Sequence, residues 1–131
     1  MNIIVDTSVI VAVLLNEPVK ASLIAVTVNA TLCAPSSLHW EIGNAFSAMF
    51  KQKRLSLDDA QKALRIYKQI PLNLVDVDLG KSVRISSAQG VYAYDAYFIA
   101  CAHKLHAPIL SLDKGLKLAA TQAGIKLLEV T

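Results

Sequence analysis

Asp6, Glu41, Asp95 and Asp113 are the residues of this sequence whose type and placement point to chemistry. Asp6 ends the apolar run Asn2 to Val5, and Asp113 closes the run Ile109 to Leu112. Glu41 falls in the first turns of a helix expected to open near Ser36, and Asp95 opens the helix that leads into the last of the apolar runs. A crossover helix runs antiparallel to its strands, so the start of a helix entering a strand lies beside that strand's C-terminal tip. All four carboxylates are therefore expected at one edge of a parallel sheet, the edge where such folds keep their ligands. Like charges held within a few ångströms repel, and burying them without cations is costly. A hard divalent cation resolves that conflict, and oxygen ligands with no Cys or His in the set favour magnesium or manganese over zinc. The chemistry to expect is metal-assisted reaction at phosphate.

Each acid also has an ordinary reading. Asp6 and Asp113 precede helices, where Asp is a common N-cap, and Asp95 is a first-turn acid that complements the helix dipole. Glu41 has mostly apolar neighbours in Trp40, Ile42, Ala45 and Phe46, with Asn44 one turn on along the same face. Thr7 and Ser8 add hydroxyls able to cap the same turn or to orient Asp6. What lifts the set above its members is joint placement on one rim. Asp76 and Asp78 also follow a strand, but Asp78 has a capping role before the next helix. Lys114 and Lys117, beside Asp113, are the basic residues nearest to where phosphates would be met.

The elements that must hold these residues alternate. Strands are expected at Asn2–Val5, Thr31–Ala34, Leu72–Val77 and Ile109–Leu112, with Lys126–Val130 as an edge strand. Between them the spacing predicts helices through about Leu15, over Glu17–Asn29, from Ser36 or Ser37 to about Lys53, from Ser56 to Ile70, from Asp78 to Gly90, over Tyr94–His106 and over Lys114–Ala123. Short strands separated by helices imply a parallel α/β sheet with right-handed crossovers. No internal repeat or linker interrupts the 131 residues, so one domain, 1–131, is expected.

Composition narrows the class. The chain is 54% hydrophobic with a mean hydropathy of +0.46, high enough to expect helical faces covered by a second copy or a partner. Its longest apolar stretch, Val9 to Leu15, is far short of the about 20 residues that span a bilayer. With no basic leader ahead of the first strand, a cytoplasmic location is the expectation. The net charge of +3 is mildly basic, and pooling four acids in one cleft leaves the remaining surface more basic than that total. Cys33 and Cys101 read as buried small hydrophobes, and His39, His103 and His106 share no ligand spacing. There is no P-loop, no G-x-G-x-x-G and no G-x-S-x-G elbow.

Taken together, Ile3-Ile4-Val5-Asp6-Thr7-Ser8, Glu41-Ile42-Gly43-Asn44, Tyr94-Asp95-Ala96 and Leu110-Ser111-Leu112-Asp113 resemble the motifs of a PIN domain of the VapC toxin type, in order, spacing and total length. The resemblance implies a three-layer α/β/α fold around a central parallel sheet of four to five strands. It further implies a metal-dependent endoribonuclease, the toxin of a type II toxin-antitoxin pair, with Asp6, Glu41, Asp95 and Asp113 as its acidic set. Asp6, Asp95 and Asp113 would hold Mg²⁺ or Mn²⁺, and Thr7, Ser8, Asn44 and Ser111 would support them. A small antitoxin and a homodimer are the implied partners. Ser111 stands where Thr is usual, keeping the hydroxyl, and Lys114 to Lys117 offers none of the further acids that some members carry. Two rivals are a catalytically silent PIN-like module and a phosphoacceptor receiver domain. The receiver would want an acid pair after the first strand, where only Asp6 stands.

Overall fold

The computed structural model describes residues 1–130. Four strands, β1 (Asn2–Val5), β2 (Thr31–Pro35), β3 (Leu72–Val75) and β4 (Ile109–Leu110), form one parallel sheet in the order β3-β2-β1-β4. Seven helices, α1 (Thr7–Leu14), α2 (Lys20–Thr27), α3 (Ser37–Lys51), α4 (Leu57–Tyr67), α5 (Leu79–Gln89), α6 (Ala93–Leu105) and α7 (Lys114–Gln122), flank it among the described residues, giving three α/β/α layers.

The order follows from composition. Ile3, Ile4 and Val5 are buried on both faces, so β1 is central, whereas β3 has no fully buried residue and lies at an edge. From β1 the chain steps outward through β2 to β3, then returns to the far side of β1 as β4. Strand order therefore reverses at β1, and the crevice beyond the carboxyl ends of β1 and β4 is the switch point where open α/β sheets take ligands. Helix α6 enters β4 and packs on β1, β2 and α5. Its Ala96 and the run Phe98, Ile99, Ala100, Cys101 and Ala102 are all buried, as suits a helix covered by both sheet and neighbours.

Several boundaries differ from the sequence expectation, each for a local reason. β3 stops at Val75 rather than Val77 because its partner β2 stops at Pro35, the last residue in register. β4 stops at Leu110 rather than Leu112 because β1 ends at Val5, after which side chains replace the ladder. The expected edge strand Lys126–Val130 is reduced to a single bridge between Ile109 and Leu127. The two-residue β4 offers only the amide and carbonyl of Ile109 on that side, and Lys126 O and Leu128 N take them at 3.0 and 2.9 Å. The second helix runs Lys20–Thr27 rather than from Glu17 to Asn29, and Thr27 Oγ1 bonds back to Leu23 O at 2.9 Å as the helix ends. The capping roles stand as read: Ser56 accepts from Asp59 N, Asp78 accepts from Lys81 N, and Gly90 ends α5 with φ 65°.

Candidate active site

At the switch point the turn after β1 and the turn after β4 are tied by side chains. Asp6 is 4% exposed and so is Ser111. Asp6 Oδ1 accepts from Ser8 Oγ at 2.6 Å and from Val9 N at 3.1 Å, capping α1, while Oδ2 accepts from Ser111 Oγ at 2.6 Å. The two hydroxyls are themselves oriented, since Ser8 Oγ accepts from Leu112 N at 3.0 Å and Ser111 Oγ from Asp113 N at 2.9 Å. A hydroxyl has one proton to give, so each serine, already accepting an N–H, spends that proton on Asp6. Residues 105 apart in sequence are thus locked around one carboxylate. Burial raises the Asp6 carboxyl, the hydrogen bonds from Ser111, Ser8 and Val9 oppose that rise, and the Asp113 charge adds to it.

Glu41 occupies the second turn of α3, on the face that carries Ser37 four residues earlier. Its carboxyl is pushed up to about 7, first by burial and then by the Asp95 and Asp6 charges. The Ser37 and Thr7 hydroxyls lie close enough to offset part of that rise. None of the three completes a well-formed bond: Glu41 Oε2, Ser37 Oγ and Thr7 Oγ1 are all buried without a hydrogen-bond partner. Asp95, half-buried in the first turn of α6, is raised by burial and by the Asp113 and Asp6 charges. Asp113 is exposed and caps α7, its Oδ1 accepting from Gly115 N at 2.9 Å. The capping reading of Asp6 and Asp113 is met, and both still lie within electrostatic reach of other acids of the set.

Each of these acids is within electrostatic reach of at least one other, yet among the described residues no three His, Cys, Asp or Glu side chains gather closely enough to form a ready-made metal cage. The donor chemistry nonetheless suits a hard cation: all donors are oxygens, and Glu41 Oε2 is a buried anionic acceptor with nothing to satisfy it. Mg²⁺ keeps several waters and needs only one or two carboxylates, so a dispersed acidic rim fits it better than it would fit a dehydrated ion.

Of the remaining residues singled out from sequence, Asn44 is exposed on α3, its backbone carbonyl accepts from Ser47 Oγ at 2.9 Å, and its side chain makes no hydrogen bond among the described residues. Lys114 is exposed and Lys117 half-buried at the start of α7, beside Asp113. Asp76 is occupied elsewhere, accepting from Ser36 Oγ at 3.0 Å and, through its carbonyl, from Lys104 Nζ at 2.6 Å. Ser37 went unremarked as a neighbour of Glu41, although spacing of four on a helix signals it. A largely apolar cavity of about 170 Å³ among Val9, Ile10, Val13, Leu23, Ile24 and Ile70 is also lined by Thr27, whose hydroxyl is committed to the Leu23 and Ile24 carbonyls.

A model of the PIN domain family matches residues 3–122, so the chain belongs to that family, whose members are generally nucleases. Its fold is similar to that of PAE2754 from Pyrobaculum aerophilum, at 18% identity and a TM-score of 0.70 over 91% of this chain and 79% of that one. It is equally similar in fold to VapBC2 from Rickettsia felis, solved bound to a DNA fragment from their promoter, at 16% identity and a TM-score of 0.70 over 100% of both chains. No curated protein matches the sequence. Among the described residues no helix is long and apolar enough to cross a membrane.

Proposed function

We propose that this protein is a metal-dependent endoribonuclease, the toxin of a type II toxin-antitoxin pair. The observation that carries the reading is the mutual electrostatic strain of the rim, where Asp6, Glu41 and Asp95 are each raised by the charge of another of the four acids. A purely structural set of caps has no reason to be pooled against its own repulsion. Asp6, Asp95 and Asp113 would hold Mg²⁺ or Mn²⁺, which when bound supplies charge neutralisation at the phosphodiester and a lowered pKa for water.

The chain's own groups supply the rest. Asp6, clamped by Ser8, Ser111 and Val9 N, holds its oxygens in fixed directions. Glu41, poised at about 7 with Oε2 unbonded, is suited to take the proton of the attacking water. Attack in line on phosphorus forms one P–O bond and breaks the bond to the 3′ oxygen, which takes a proton from solvent and leaves as a 3′-hydroxyl opposite a 5′-phosphate. Lys114 and Lys117, in the first turn of α7, would meet flanking phosphates. The kinship in fold with a VapBC complex supports a small antitoxin as partner, and the same reading takes the protein as a cytoplasmic homodimer.

Cleavage of RNA by purified protein, with Mg²⁺ or Mn²⁺ and with EDTA, tests the reading, using wild type beside Asp6→Asn. Cleavage should require the cation and fall in the variant by more than the about 10–100-fold that losing an outer partner of a metal costs. EDTA-resistant cleavage, or a variant as active as wild type, would overturn it.

A further inference from the structure

Tyr92 is 85% exposed, an aromatic ring that contributes almost nothing to the core and is unfavourable to leave in water. Its backbone is nevertheless fixed: Tyr92 is the N-cap of α6, and its carbonyl accepts from Asp95 N at 3.1 Å and Ala96 N at 3.3 Å. Its side chain makes no capping bond. Of the other exposed aromatics, Trp40 packs edge-on against His39 with centroids 4.8 Å apart and Tyr94 against Tyr97 at 6.2 Å, while Phe50 has no ring partner among the described residues but is far less exposed, at 39%. Among the described residues no ring packs on Tyr92. Tyr92 lines an open groove with Gly90, Val91 and Asp95, one of the four acids singled out from sequence. Gly90 leaves the groove open, because nothing stands within 4 Å of where a Cβ would be.

This arrangement selects for the neutral part of a nucleotide. The acidic rim repels phosphate until a cation arrives, so binding energy beside Asp95 must come from a surface without charge. A nucleobase has a π-face that stacks on a tyrosine ring in any sequence, and only an unpaired base can swing out to reach one. We propose that Tyr92 is a substrate-binding residue, a stacking platform for an unpaired base of the RNA strand next to the phosphate presented to Asp95. The inference rests on the ribonuclease reading for the identity of the ligand and adds the contact that registers the strand.

The test is a fluorescence-anisotropy titration of a labelled single-stranded RNA octamer, and of octamers carrying one abasic nucleotide at each position in turn. It is run in Ca²⁺ with wild type, Tyr92→Ala and Tyr92→Phe. Loss of one stacked base corresponds to about 5–150-fold in affinity. Tyr92→Ala should weaken the intact octamer by a factor in that range, with Tyr92→Phe within about twofold of wild type. An abasic residue at one position should weaken wild type by the same factor and leave Tyr92→Ala unaffected. Equal abasic penalties in both proteins, an alanine variant within about twofold of wild type, a phenylalanine variant as weak as alanine, or no binding by wild type would each overturn the proposal. Cleavage assays in Mn²⁺ separate the two readings. A Tyr92-dependent abasic penalty without cleavage refutes the nuclease and keeps the platform, whereas cleavage with unchanged KM in Tyr92→Ala does the reverse.

Discussion

The two sides of the acidic rim are built in opposite ways. On the β1–β4 side every polar atom around Asp6 is engaged: the carboxylate takes three hydrogen bonds, and the serines that donate two of them are held by backbone amides. On the α3 side, Glu41 Oε2, Ser37 Oγ and Thr7 Oγ1 are buried and unbonded. Thr7 follows Asp6 directly in sequence, so saturation and vacancy are separated by one residue. A closed network fixes geometry, because each member restrains the others. Buried polar groups left open are costly in the free molecule and mark where a bound group would repay the cost. The rim therefore pairs a stiff half that sets direction with a receptive half that awaits a partner.

Ser111→Ala should have the largest effect, since it cuts the link between the halves of the stiff side. Asp6 Oδ2 loses a donor and Asp113 N loses its acceptor, and leaving buried groups unsatisfied costs about 1–3 kcal/mol. Orientation of Asp6 is lost with it, so RNA cleavage should drop by about 10–100-fold. Ser111→Thr should restore both, as the hydroxyl returns. Denaturant melts and cleavage rates check the pair, and an alanine variant with wild-type stability would mean that the bridge between Asp6 and Asp113 is not a support.

Glu41→Gln comes next and addresses the receptive side. The Glu41 carboxyl is raised in the folded state to about 7 from an ordinary 4.5, so the folded protein binds the extra proton between those values. Its contribution to stability is present below about 4.5 and is lost as pH climbs through about 7. Wild type without metal should consequently melt lower at pH 8 than at pH 5 on this account. The Gln variant removes that slope and should melt about 2–5 °C higher than wild type at pH 8, a modest figure because the carboxylate is partly solvated. Thermal melts at both pH values in EDTA decide it, and equal slopes in the two proteins would contradict the assignment.

Much of this was legible in the sequence because the signals are local. Asp before a helix, Ser56 with Asp59, and Gly90 after an amphipathic run each announce a cap whose geometry is set within a few residues. The expectation that Asp6, Glu41, Asp95 and Asp113 share one edge followed from alternation alone, since helices return strands to the same polarity. What the sequence left dark depends on partners far along the chain. The end of β3 is decided by where β2 stops, and the bridge at Ile109 by the two-residue length of β4. The satisfaction of Asp6 by Ser111 and the isolation of Glu41 beside Ser37 differ only in tertiary geometry, although both acids have a serine close at hand in the fold.

Ser37→Ala carries the smallest expected effect and is the counterpart of Ser111→Ala on the other half of the rim. Ser37 Oγ makes no hydrogen bond, so its removal breaks none and relieves a buried hydroxyl of its desolvation cost. Alanine is also the better helix former in the first turn of α3. Below about pH 4.5, where Glu41 is protonated folded or unfolded, stability should be unchanged or higher by up to about 1 kcal/mol, the opposite sign to Ser111→Ala. The same hydroxyl offsets part of the rise in the Glu41 carboxyl, so without it that carboxyl should titrate higher still. The acidic limb of the pH–rate profile for RNA cleavage should therefore move upward, because Glu41 must be ionised to accept a proton. A loss of stability on Ser37→Ala comparable to that of Ser111→Ala would show both halves of the rim to be equally closed, and would remove the distinction between a stiff side and a receptive one.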